Sequence, residues 1–160
     1  MKSLFTKSSQ FLTLALLGTF LLGTIQPLTV HGAVASYQKS LLRLHNEERA
    51  KRNRQPLRLH GALNRAAVRY AVVMSREPGT YLDHTGPDGS TFDQRILAAG
   101  GTNFSTMAEN IALGQPNESA VNLAWMRSAG HRSNILNPRF KFVGFGRAGG
   151  APHWVTNFGG

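Results

Sequence analysis

Three polar side chains stand where local propensity does not ask for them. His84 lies in the turn-rich stretch EPGTYLDHTGPDGS, Glu109 inside the apolar MAENIALG, and His131 directly after a glycine in AWMRSAGHRSNIL. Imidazoles offer neutral nitrogen ligands to a borderline divalent metal such as Zn2+, and they exchange protons near neutral pH. A carboxylate on a half-buried face must find a partner, because burying a lone charge is expensive. Such a group can orient an imidazole or deprotonate a water. Each residue also has a plainer reading. Glu109 could be solvated at the end of a short strand, and His131 could sit at a helix C-terminus, where the dipole favours imidazolium. Spacing alone does not join the three, since their separations fit no local metal motif such as HExxH.

The remaining candidates are weaker. His45 falls on the apolar stripe of a helix, which suggests a satisfied core histidine. His60 precedes the next helix and reads as a surface or capping residue. His153 carries no pattern of its own, and Trp125 and Trp154 read as core aromatics. No G-x-S-x-G occurs, so Ser128 and Ser133 are ordinary helix-end serines rather than nucleophiles. With 0 Cys, thiol catalysis, thiolate metal sites and disulfides are excluded, and packing must hold the fold.

These residues need elements to position them. Tyr37, Leu41, Leu44, His45 and Glu48 recur at helical spacing after Ser36, a candidate N-cap, and the basic RAKRNRQP closes that helix. Leu63, Ala66, Ala67, Tyr70, Ala71 and Met74 form one apolar stripe whose small residues predict close packing. Ser90 with Asp93 suggests a capping box for a short helix through Phe92 and Ile96, stopped by Gly100 and Gly101. MAENIALG alternates as a strand, placing Glu109 on a face with Met107, Ile111 and Leu113. Asn117 caps a fourth helix bearing Val121, Ala124 and Trp125. RFKFVGFGRA and HWVTNFG read as two closing strands around a Gly and Pro turn. Helices before and among a few late strands predict an α+β chain with a small, mainly antiparallel sheet in a layered α-β-α arrangement.

The 160-residue sequence opens with Lys2 and Lys7, the apolar run FLTLALLGTFLLGTI, and the small residues AVA ending at Ala35. That pattern predicts a signal peptide over residues 1–35, cleaved before Ser36, and an exported product, extracellular or periplasmic. The run is short for a membrane span and no Cys follows it, so neither a transmembrane span after cleavage nor a lipoprotein anchor is expected. Residues 36–160 then form one domain. Removing the two leader lysines from 18 Lys and Arg, against 8 Asp and Glu, leaves a formal charge of +8. Such a protein tends to adsorb to anionic surfaces. No aromatic-interleaved basic run points to specific nucleic-acid recognition.

Six blocks in order carry a resemblance. LLRLHNEERA, PLRLHGALNRAA, DHTGPDGSTFDQRILAAG, AENIALG, AWMRSAGHRSNIL and VGFGRAGGAPHWVTNFG together resemble the bacterial branch of the CAP superfamily, also called the SCP domain. The resemblance covers about residues 37–160 and implies a three-layer α-β-α sandwich. It also implies a central cleft of two histidines and two glutamates able to hold a divalent metal. His84, Glu109 and His131 match three of those positions, and Ser128 stands where the fourth carboxylate is usual. The metal expectation is therefore His84 and His131 as ligands of a weak Zn2+ or similar site, with Glu109 and Ser128 lining the cleft. Functionally the resemblance implies a binding module for a lipid, polysaccharide or protein ligand. The alternative is a metal-assisted hydrolase of peptide or envelope substrates with Glu109 as its catalytic base.

Overall fold

A computed structural model describes residues 34–160, so the expected leader lies almost wholly outside the described residues. The elements are α1 (Ser36–Ala50), β1 (Arg58–Leu59), α2 (Gly61–Arg76), α3 (Phe92–Ala98), β2 (Met107–Leu113), α4 (Glu118–Arg127), α5 (Ala129–Leu136), β3 (Phe142–Ala148) and β4 (His153–Gly159). The sheet order is β1-β3-β4-β2. β4 pairs antiparallel with both β2 and β3, and only the two-residue β1 runs parallel to its neighbour. Helices cover both faces, giving the expected α-β-α sandwich. No helix among the described residues is long and apolar enough to cross a membrane.

One side of the sheet buries Leu41 of α1, Trp125 of α4 and Ile135 of α5 against Val143, Phe145, Trp154 and Phe158. The indole N–H groups of Trp125 and Trp154 donate to the carbonyls of Ile111 (3.2 Å) and Gln115 (2.8 Å), so neither ring buries an unmet donor. Burial of large apolar side chains, worth roughly 1.5–3 kcal/mol each, replaces the missing disulfides. On the other side Ala67, Tyr70, Ala71 and Met74 of α2 pack on Ile111 and Val155, while Leu63 and Ala66 meet Ile96 of α3.

Two glycines let α2 lie this close. A Cβ at Gly144 would come within 2.1 Å of the Leu63 carbonyl carbon, and one at Gly146 within 2.1 Å of the Ala67 carbonyl oxygen. Asn64 locks the register by accepting from the Phe145 N–H at 2.9 Å. That seating carries Tyr70, about one turn beyond Ala67 on α2, to the position from which it organises the candidate site.

Several local expectations are corrected. Ala35, not Ser36, precedes the first turn of α1, and its N–H is met by the Gln38 side chain at 3.2 Å. The cap of α3 is Thr91, whose N–H is received by Gln94 at 3.0 Å, rather than Ser90 with Asp93. β1 went unseen because two residues leave no period to detect. His45 is a core residue, fully buried among Trp125, Phe145 and Phe158, but both ring nitrogens lack a hydrogen-bond partner. His131 lies in the first turn of α5, not at a helix C-terminus, so the dipole there opposes its protonation.

Candidate functional site

β2 is an edge strand of the sheet, and its consecutive residues Glu109 and Asn110 point to opposite faces. Both are buried. The Glu109 side chain, 1% exposed, accepts from three directions. His84 Nδ1 is 3.0 Å from Oε1, and Arg95 Nη2 is 3.2 Å from Oε1 and 3.1 Å from Oε2. Oriented so that its oxygen accepts from the Ala67 N–H, the Asn157 amide donates to Oε2 at 3.3 Å.

Arg95 holds this side together. Its guanidinium lies 3.4 Å from the centroid of the Tyr70 ring, a cation–π stack. It also donates to the carbonyls of His84 (2.9 Å) and Ser90 (2.6 Å), while the Tyr70 hydroxyl donates to the Asp83 carbonyl. The loop bearing His84 is thus tied at three points to α2 and α3. A cavity of about 300 Å³ adjoins the site, with Tyr70, Ser90, Gln94 and Arg95 in its wall. Neither His84 nor His131 lines it.

On the opposite face, Asn110 Nδ2 donates to the His131 carbonyl at 3.0 Å, and Asn134 Nδ2 donates to Asn110 Oδ1 at 2.8 Å. These bonds fasten α5 to the strand. Ser128 is the half-buried hinge where α4 ends and α5 begins, with its N–H on the carbonyls of Ala124 and Trp125.

A carboxylate facing Nδ1 requires the proton on that nitrogen, which leaves the Nε2 lone pair of neutral His84 outward. The His84 side chain is 51% exposed, so that lone pair is accessible. The hydrogen bond to Glu109 raises the His84 pKa above the usual imidazole value, burial pulls it down, and the Glu109 charge adds to the rise. His131 moves the other way, first through burial and then through repulsion by His84. The two rings are therefore within electrostatic reach of each other. Among the described residues, no three His, Cys, Asp or Glu side chains are grouped so as to hold a metal ion.

The structure thus brings His84 and Glu109 into contact, while His131 is fastened to the same strand by the bond from Asn110 to its carbonyl. Arg95, Asn110 and Asn157 escaped the sequence reading, as did the role of Tyr70, which it read only as part of an apolar stripe. The need for a partner beside a buried Glu109 was legible, but nothing in DQRI singles Arg95 out among so many basic residues.

Comparison with known proteins agrees with the fold. Residues 42–158 match the family described as CAP, the cysteine-rich secretory protein family. The chain is 37% identical over 127 residues to the uncharacterised protein YkwD of Bacillus subtilis, covering 79% of this chain and 48% of YkwD. It therefore spans about half the length of that relative. An extracellular SCP-domain protein of Bacillus anthracis superposes with a TM-score of 0.67 at 25% identity, over 77% of this chain and 40% of that one. An outer surface protein of Borrelia burgdorferi gives 0.68 at 27% identity, over 76% and 90%. The chain belongs to the CAP family of cysteine-rich secretory proteins, within a fold shared by bacterial SCP domains.

Proposed function

We propose that this chain is an exported, non-catalytic binding module whose ligand engages the β2 edge at His84 and His131. The observation that carries this reading is the saturation of Glu109. Its two oxygens are engaged by His84, Arg95 and Asn157. They serve to fix an imidazole rather than to await a substrate proton. That weighs against hydrolysis with Glu109 as base, and no serine stands beside either histidine in a hydrogen-bonded pair among the described residues. Export is supported by the leader pattern and by the extracellular and outer-surface descriptions of the two bacterial structures.

Two imidazoles suit a borderline divalent cation, and the carboxylate behind His84 gives the orientation that metal-binding histidines need. The donor set fits a weak, open site at His84 Nε2 and His131, completed by water or by the ligand itself. A bound cation would supply Lewis acidity toward an oxygen of that ligand. Native mass spectrometry of the protein purified from its own compartment, without added metal, tests the reading. A retained small molecule or metal that is lost on His84→Ala supports it. Turnover of a peptide or envelope substrate, abolished by Glu109→Gln, would replace it with the hydrolytic alternative.

A further inference from the structure

At the junction of the α1 C-terminal loop with the segment after α5, a cavity of about 490 Å³ is lined by Arg54, Ser133, Leu136, Asn137, Pro138 and Arg139. Arg54 and Arg139 are exposed, and neither side chain meets a carboxylate or hydrogen-bond acceptor among the described residues. Behind them lies a third guanidinium. Arg49 is fully buried and is held only by carbonyls, those of Gln55 (2.7 Å), Ile135 (2.8 Å), Asn137 (2.9 Å) and Phe140 (3.2 Å). Its pKa is lowered by burial and then by the charge of Arg54, which places Arg54 within electrostatic reach. Glu48, one residue before Arg49, is committed to Lys51 at 2.7 Å and Arg52 at 2.9 Å.

Three like charges gathered without a counter-charge repel one another, and a bound anion would relieve that repulsion. Two guanidinium forks, a hydroxyl and an amide around one concavity also match a tetrahedral oxyanion in donor type. We infer that this cavity is an anion site for a phosphate group, with Arg54 and Arg139 clamping the phosphate and Ser133 donating to it. It is separate from the His84 edge, sharing no lining residue with it. Arg49 ties α1 to the end of α5 and so fixes the distance across the clamp.

Calorimetric titration with tripolyphosphate at low ionic strength tests the site. Arg54→Ala and Arg139→Ala are each expected to weaken binding about tenfold, or about 1.4 kcal/mol. Ser133→Ala should weaken it by a smaller factor with no change of charge. Arg76→Ala, an exposed arginine outside the cavity, should leave it within about twofold. Equal losses from Arg54→Ala and Arg76→Ala would reduce the effect to net charge and overturn the site, as would an unchanged affinity in both cavity variants. Phosphatidylglycerol vesicles identify the source of the phosphate. Vesicle binding that is lost in both cavity variants assigns it to a lipid head group. Tripolyphosphate binding without vesicle binding assigns it to a soluble phosphate.

Discussion

Glu109 and Asn110 are neighbours in sequence, leave β2 on opposite faces, and each secures one of the two histidines. Glu109 receives the ring of His84, and Asn110 donates to the backbone of His131. One strand edge thereby sets the positions of a loop and a helix that arrive from different layers. Asn110→Ala should cost about 1–3 kcal/mol, because the His131 carbonyl and the Asn134 amide lose their partner. Imidazole NMR should show His131 displaced while the His84 titration is unchanged. Equal displacement of both rings would contradict the division of labour.

Arg95 is expected to matter more than any other cation near the site. Arg95→Ala leaves the Glu109 carboxylate buried without its charge partner, at a cost of roughly 3–5 kcal/mol. Adding Glu109→Gln to that variant should restore part of the loss. Arg95→Lys should recover only some stability, since an ammonium cannot reproduce both the fork and the stack on Tyr70. Urea unfolding of wild type, Arg95→Ala, Arg95→Lys, Glu109→Gln and the double variant checks this, and strictly additive losses would exclude the pairing.

The His84 titration gives a signed test. Its folded pKa is raised, so the contact with Glu109 contributes stability at pH below the ordinary imidazole value and loses it as pH rises through the folded pKa. Glu109→Gln should move the His84 midpoint down. His84→Ala should move the His131 midpoint up, because the repelling neighbour is gone. Both are read from imidazole resonances against pH, and an unmoved His131 would show that the rings are not coupled.

His45 controls the acid limb of stability. Burial pushes its pKa down to about 3, with the Asn122 side chain opposing and the Arg49 charge adding to the depression. The unfolded chain takes up a proton from about pH 6.5 downward while the folded core stays neutral. Stability should therefore fall by up to about 1.4 kcal/mol per pH unit between about pH 6 and 3 through this one residue. His45→Phe should flatten that limb whatever its effect at neutral pH. Parallel curves for the two proteins would contradict the assignment.

The sequence made the layers legible because periodicity reports which residues face a core. The stripe of α2, the alternation of β2 and the Asn117 cap of α4 all appear, the last with Asn117 Oδ1 accepting from Ala120 at 2.9 Å. Gly144 and Gly146 looked like strand glycines, and only the seated helix reveals that a side chain would strike its backbone. In the candidate site, His84, Glu109 and His131 stood out because each violated local preference. Arg95 and Asn110 did not, since an arginine on a short helix and an asparagine in a strand have ordinary readings until the fold buries them. Pairing at long range is the information that a single sequence withholds.

Under the proposed function His84 and His131 form one binding site rather than two unrelated surface histidines. A Zn2+ titration at neutral pH, followed by the nitrogen-coupled imidazole resonances of all described histidines, tests it most directly. Wild type should show His84 Nε2 and His131 responding together over one concentration range, with Nδ1 of His84 still protonated. His84→Ala should then abolish the response of His131. A His131 response that survives unchanged in His84→Ala, or a response confined to other histidines, would contradict the account.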